Sequence, residues 1–184
     1  LFYKDQYLKF GELDFLILDL PPGTGDIQLT LVQKIALTGA IIITTPQDLA
    51  HKDVQKGSDM FKKVNTPVIG VIENMSYYSL KGKLDEFKGN STSLKIEGIH
   101  NKIKVDKTGL FSTKIEIFQG KSALTESKRL NIPLLGSIPL DPTISLLSDM
   151  GTPCVFEKSC KSITEVFSEI SNKITNIIAK QNVS

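Results

Sequence analysis

Four consecutive apolar residues, Phe15 to Leu18, open the readable pattern of the chain. A run that is apolar at every position predicts a strand buried on both faces, as in a parallel sheet covered by helices. It ends in Asp19 and then in Pro21-Pro22-Gly23-Thr24-Gly25-Asp26, which cannot continue a strand. Ahead of it, residues 2–10 predict a helix end that Gly11 stops. After it, Ile27, Thr30, Leu31, Lys34 and Ile35 fall at helical spacing, with Asp26 as N-cap and an end near Leu37. Ala40 to Thr45 and Pro67 to Glu73 predict two more buried strands. Between them Asp48 is a candidate cap for a helix that runs to about Val64. Strands recurring about every 26 residues with a helix between them are the βαβ signature. The fold class expected is α/β, a doubly wound, mostly parallel sheet.

That rhythm breaks over residues 76–114, which are rich in Lys, Ser, Gly and Asn. Leu94, Ile96, Ile99, Ile103 and Val105 hint there at short alternating strands, so the stretch reads as an inserted lobe rather than a bare connection. Order returns with a helix from about Gly120 to Leu130, a strand at Pro133 to Ile138 and a short helix after Asp141-Pro142. A terminal amphipathic helix carries Ile163, Val166, Phe167, Ile170, Ile174, Ile177 and Ile178 on one face. The whole of 1–184 is expected to be one domain.

Four motifs each follow a predicted strand: Asp19 to Asp26, Thr44 to Asp48, Glu73-Asn74-Met75-Ser76 and Ile138-Pro139-Leu140-Asp141. In a parallel sheet all four fall on one rim, and open α/β sheets bind ligands beyond the carboxyl ends of their strands. Asp19 would then lie where a metal-bound phosphate sits. Gly23 and Gly25 would offer backbone N–H groups unobstructed by side chains.

Composition narrows the picture without redirecting it. The chain has 184 residues, 40% hydrophobic and 23% charged, as expected of a globular domain. A net charge of +2 gives no argument for nucleic acid or an anionic membrane as partner. No apolar run approaches the roughly 20 residues that span a bilayer. Five residues separate Cys154 from Cys160, which fits neither a disulfide framework nor a tight metal knuckle and favours a reducing compartment. Since the chain opens at Leu1, leading at once toward a core strand, it reads as the C-terminal part of a longer protein.

The ordered set Asp-Leu-Pro-Pro-Gly-Thr-Gly-Asp (19–26), Thr-Thr-Pro-Gln-Asp (44–48), Glu-Asn-Met-Ser (73–76), Pro-Leu-Leu-Gly-Ser-Ile-Pro-Leu-Asp-Pro (133–142) and Gly-Thr-Pro (151–153) closely resembles the C-terminal two-thirds of Mrp/ApbC-type iron–sulfur cluster carrier ATPases. These belong to the MinD/ParA group of deviant P-loop NTPases. The resemblance covers nearly the whole chain except the insertion. It implies ATP and Mg²⁺ as cofactors, with Asp19 as the Walker B aspartate acting on Mg²⁺ through water. It makes Pro22 to Gly25 the switch II turn, with the Gly23 N–H facing the γ-phosphate. Asp26 becomes a residue that orients water or caps its helix, the cap being favoured. Asn74 matches the asparagine whose amide reads the adenine edge, and Pro139 and Asp141 match a second base-contacting loop. Asp53 falls where the wider group keeps an acid near its dimer interface, although a solvated helix position is the stronger reading.

Two family features are absent from these residues. The deviant Walker A loop with its lysine would lie upstream of Leu1, and a chain without it should neither bind ATP tightly nor hydrolyse it. Gly120-Lys121-Ser122 does not replace it, because the glycine needed five residues earlier is Ile115. The strand carrying that loop is central in the family, so residues 1–184 alone are expected to fold poorly; a cooperative thermal transition with native-like near-UV CD would refute this. The Cys-x-x-Cys pair that holds a [4Fe–4S] cluster between two subunits is also missing, since no cysteine lies between Asn74 and Gly120. Cys154 and Cys160 as substitutes are less favoured than two thiols packed near a loop.

The expected function is therefore a homodimeric ATPase that loads or transfers [4Fe–4S] clusters to apo-proteins, in the cytoplasm or an organellar matrix, with no nucleic-acid or membrane partner. Enzyme activity is expected of a full-length form and not of these residues alone. The alternatives are a MinD/ParA-like switch for positioning or partition and a non-enzymatic scaffold. Asp106-Lys107-Thr108-Gly109 resembles a cation-pump phosphorylation motif, but no membrane helices accompany it. Asn90-Ser91-Thr92 is a glycosylation sequon with no role in a cytosolic protein. His51 and His100 lack metal-ligand companions and read as surface residues.

Overall fold

The structure is a computed structural model that describes residues 11–20, 25–85, 87–88, 92–99 and 102–181. Its first sheet contains β1 (Ala40–Thr44), β2 (Val68–Glu73) and β7 (Leu134–Ser137), all parallel, in the order β1-β2-β7. The connections are α2 (Asp48–Lys63) between β1 and β2, and α3 (Ser122–Leu130) leading into β7. Because strand side chains alternate between faces, the apolar strands feed two cores. Ile42, Val71 and Leu134 pack with Val32 of α1 (Asp26–Lys34), Met60 and Phe61 of α2 and Ala123 of α3. Their neighbours Ile41, Ile72 and Leu135 pack on the other face with Ile170 of α5 (Lys161–Gln181). Helices thus cover both faces of the sheet. At Gly136 a Cβ would come within 2.5 Å of the Ile170 side chain, so glycine there lets α5 lie close.

Residues 78–115 build a second, antiparallel sheet of β3 (Tyr78–Lys83), β4 (Thr92–Leu94), β5 (Ile103–Val105) and β6 (Leu110–Ile115), in the order β3-β6-β5-β4. Ile103 and Val105 are buried and the intervening Lys104 is exposed, the alternation of a sheet with one covered face. Asp106 makes the β5–β6 turn: its Oδ1 accepts from the Thr108 and Leu110 N–H groups at 2.8 and 3.0 Å and from the Thr108 hydroxyl at 2.7 Å. The Thr108 hydroxyl, first among these donors, holds the Asp106 carboxyl below its ordinary pKa.

Several sequence expectations are corrected. Phe15 to Leu18 do not form a buried strand; all four are exposed, Ile17 by 90%. A run apolar at every position needs neighbours on both edges and both faces, and among the described residues no strand pairs with it. The edge of β1 turned away from β2 is likewise unpaired among the described residues, and Ile43 within β1 is 62% exposed. The helix expected to run from an Asp26 cap to Leu37 has Gly25 in the capping position, Asp26 as its first residue and Lys34 as its last. Asp48 is likewise inside α2 rather than its cap, with Gln47 in that position. His51 is no surface histidine, being half-buried against α3. The predicted helix at 2–10 and His100 lie outside the described residues.

Candidate functional site

Register fixes the rim. Thr44 of β1 lies opposite Glu73 of β2, and Glu73 opposite Ser137 of β7, so the loops after all three strands leave the sheet at one level. Hydrogen bonds stitch the loops together. The Asn74 N–H donates to the Thr44 carbonyl at 2.7 Å and the Ile138 N–H to the Glu73 carbonyl at 2.7 Å. The Ser76 N–H and hydroxyl both donate to the Ile138 carbonyl at 2.9 Å, and the Leu140 N–H donates to the Tyr77 carbonyl at 2.8 Å. A parallel bridge between Tyr78 and Leu140 carries this pairing to the start of β3. Buried and half-buried backbone groups that find such partners define one conformation.

Asn74 occupies the middle of this rim. Its Oδ1 accepts from the Met75 N–H at 2.9 Å, and Met75 adopts a left-handed φ of 54° to make the turn. Such a backbone is uncommon outside glycine and persists where the surroundings hold it. No acceptor meets the Asn74 Nδ2 among the described residues. The side chain therefore keeps two donors and a second lone pair on Oδ1, the complement of a heterocycle edge. Across the rim, Asp141 caps α4 (Pro142–Asp149): its Oδ1 accepts from the Thr143 N–H at 2.8 Å, and Pro142 fills the first helical turn. Pro139 lies half-buried two residues before it.

The loop after β1 is braced by a stretch set aside in the sequence. Gly120 has φ +132°, and a Cβ on it would lie 2.4 Å from the Pro46 carbonyl oxygen and 2.8 Å from the Asp48 N. The Ser122 N–H donates to the Pro46 carbonyl at 3.1 Å, and the Lys121 N–H donates to Asp48 Oδ1 at 3.2 Å. The Ser122 and Thr44 hydroxyls lie 3.3 Å apart. Gly120-Lys121-Ser122 is therefore no phosphate loop but the clamp on residues 46–48. Sequence reasoning missed that role, for which a glycine just ahead of a helix was the available signal.

Below the rim, α2 and α3 share a polar cluster around Glu126, whose side chain is fully buried. The Ser58 hydroxyl and the Arg129 guanidinium both donate to Glu126, and Arg129 also reaches Asp59 at 3.0 Å. Burial pushes the Glu126 pKa up, but the Arg129 and Ser58 hydrogen bonds outweigh it and hold the carboxyl below its ordinary value. The same Glu126 bonds, with the bond to Asp59 behind them, raise the Arg129 pKa against the opposing effect of burial. His51 adds its Nδ1 at 3.9 Å from Glu126 and its Nε2 at 3.0 Å from Gln55 Nε2.

The predicted site residues are thus brought together only in part. Asn74, Pro139 and Asp141 share the rim. Gly25 stands at the start of α1, whereas Pro22 and Gly23 lie outside the described residues, as does the Asp26 side chain. Asp19 is exposed, one residue before Leu20, which packs against the core beside α1. Asp53 is exposed and pairs with Lys56 at 3.2 Å. Cys154 and Cys160 are buried with Ile163 beneath α4, and burial, followed by the neighbouring Cys160, raises the Cys154 thiol pKa. Iron needs thiolates it can reach, so this pair does not fit a cluster. Among the described residues no group of three or more His, Cys, Asp or Glu is placed to hold a metal ion.

Comparison with known proteins supplies the context for this rim. A family model described as ParA, NUBPL iron-transfer P-loop NTPase, matches residues 5–90 and 88–175. An iron–sulfur cluster carrier protein of Aquifex aeolicus is 39% identical over 171 residues, 92% of this chain and 39% of its own. The mouse iron–sulfur cluster transfer protein NUBPL is 34% identical over 91% of this chain and 44% of its own. The chain therefore spans about two fifths of the length of these relatives. Among solved structures, a nucleotide-binding protein from Archaeoglobus fulgidus in complex with ADP superposes with a TM-score of 0.53 at 31% identity, covering 77% of this chain and 46% of that one.

Proposed function

The chain belongs to the ParA family of NUBPL iron-transfer P-loop NTPases, and on that premise we propose that it forms the nucleotide-sensing part of an ATP-dependent carrier that delivers [4Fe–4S] clusters to apo-proteins. The observation that carries this reading is the rim on which Asn74, Pro139 and Asp141 stand together at the carboxyl ends of β2 and β7. Asn74 would take the adenine edge through its amide, and Pro139 and Asp141 would contact the base. Asp19 would hold Mg²⁺ through its water shell, and the turn that contains Pro22, Gly23 and Gly25 would meet the γ-phosphate. Mg²⁺ supplies charge neutralisation for phosphoryl transfer to water. Asp26, the first residue of α1, would orient the attacking water.

The cluster is cargo. With Cys154 and Cys160 packed away, its ligands come from outside these residues, and a homodimer is the assembly that presents them. No helix among the described residues is long and apolar enough to cross a membrane.

The test is cluster transfer by the native, full-length protein, reconstituted anaerobically and mixed with an apo-ferredoxin, with and without ATP. ATP-stimulated transfer that Asp19→Asn abolishes, while nucleotide-free cluster loading survives, supports the reading. Transfer that ignores both ATP and Asp19→Asn overturns it.

A further inference from the structure

The second sheet has one side that the proposed function does not use. Pairing of β3 with β6 sets Lys81 opposite Ser112, Ser79 opposite Lys114 and Lys83 opposite Leu110, and pairing of β4 with β5 sets Ser93 opposite Lys104. Val105 opposite Phe111 fixes β5 against β6 and, one residue on, brings Lys104 beside Ser112. Since side chains alternate, Lys81, Lys83, Lys104 and Lys114 share one face with Ser79, Ser93, Ser112 and Leu110. All four lysines are exposed, whereas Ile103 and Val105 on the opposite face are buried.

A Lys-Ser-Lys-Ser row thus crosses the sheet from β3 to β4. The alternation keeps like charges from standing directly opposite one another, which lets so many lysines share one face. No carboxylate comes within ion-pair distance of these four lysines among the described residues. Asp106, at the end of the face, spends its Oδ1 on its own turn. Residues 76–114 hold eight lysines against four acidic residues, although the whole chain carries only +2. An open groove of about 1010 Å³ has Lys81, Lys83 and Lys104 in its lining, together with Asp106, Val105 and Phe111.

We propose that this lysine–serine face docks an extended acidic segment of a protein partner. Lys81 and Lys83 stand about 7 Å apart along β3, the spacing of alternate side chains in an extended chain, and Lys104 stands about 10 Å across the sheet. Carboxylates at every second position of such a segment meet these charges, with serine hydroxyls between them. Leu110, exposed by 51%, offers an apolar contact within the same face. At one corner of the face Lys114 Nζ lies 4.0 Å from the centre of the Tyr77 ring, a cation–π contact that sets it apart from Lys81, Lys83 and Lys104. On the cluster-transfer reading, on which this identification of the partner rests, the segment belongs to the receiving apo-protein.

The experiment uses the full-length protein and its Lys81→Gln/Lys83→Gln/Lys104→Gln variant, with Lys62→Gln/Lys63→Gln/Lys180→Gln as a control of equal charge change. Fluorescence anisotropy at low salt reads binding of a labelled alternating Glu-Ser peptide, its Lys-Ser counterpart, a mixed-sequence DNA duplex and phosphatidylserine vesicles. Exposed ion pairs are individually weak, so the three substitutions together weaken the Glu-Ser peptide by roughly tenfold, and added salt erases the difference. Equal affinity in the two variants overturns the proposal, as does tighter face-dependent binding of the duplex or the vesicles. Circular dichroism and nucleotide affinity are measured alongside. Lysine-dependent peptide binding by a protein that transfers no cluster sinks the proposed function and leaves the docking face standing.

Discussion

Two apolar runs of this chain look alike in sequence and end in opposite states. Val68 to Glu73 is β2, with β1 on one edge, β7 on the other and helices on both faces, and Val71 is 0% exposed. Phe15 to Leu18 is equally apolar, pairs with no strand among the described residues and leaves Ile17 90% exposed. Both runs are rich in apolar residues; their neighbours differ. An uninterrupted apolar run states a need for burial, and only the tertiary surroundings decide whether it is met.

The contrast breaks most forcefully at the polar brace of the packed region. Glu126→Gln removes the charge that Arg129 faces while leaving the site buried, and breaking a buried pair costs about 3–5 kcal/mol. Arg129 keeps Asp59 and is partly solvated, so the lower end is expected in urea denaturation. The pH dependence has a definite sign. The folded Glu126 pKa lies below that of an ordinary glutamate, so its contribution is present above the unfolded pKa and lost as pH falls through the lower, folded value. The variant should lose that part of the acid sensitivity; an unchanged acid limb would show that Glu126 is not the group responsible.

A paired substitution tests the two runs directly. Leu135→Ala, in the strand beside β2, opens a cavity in a site of 0% exposure and is expected to cost about 2–5 kcal/mol. Ile17→Ser should stay within about 0.5 kcal/mol, as surface changes do. Equal losses would mean that Phe15 to Leu18 are covered in solution by something that supplies the missing neighbours. Gly120→Ala comes next, at about 1–3 kcal/mol, because φ +132° and the Pro46 carbonyl 2.4 Å from its Cβ both oppose a side chain.

What could be read in advance follows the same logic. The strands of the parallel sheet from Ala40 onward and the helices around them were legible because each carries its own periodicity and a local stop, such as the Asp141-Pro142 start of α4, whereas β3 and β6 were not. Strand ends were legible because motif follows strand, and parallel register then sets Thr44, Glu73 and Ser137 level. The clamp of Gly120 on Pro46 was not legible, since its partners lie more than seventy residues apart and no local pattern records the contact. Nor was the burial of His51, because its partner Glu126 belongs to another helix.

The smallest expected effect separates two roles for one rim residue. Asp141 caps α4 through its Oδ1, a task that asparagine performs about as well, so Asp141→Asn should change stability by only a few tenths of a kcal/mol, whereas Asp141→Ala should cost about 1 kcal/mol. If the cap is the whole role, nucleotide affinity in the full-length protein follows stability, unchanged in the asparagine variant and slightly weakened in the alanine one. If the carboxylate itself meets the base, its charge and second acceptor oxygen matter, and Asp141→Asn weakens the nucleotide several-fold while the helix stays intact. Isothermal titration on both variants reads the difference. A loss confined to Asp141→Ala returns the residue to the packed half of the contrast, as one more local stop that the fold had already made legible.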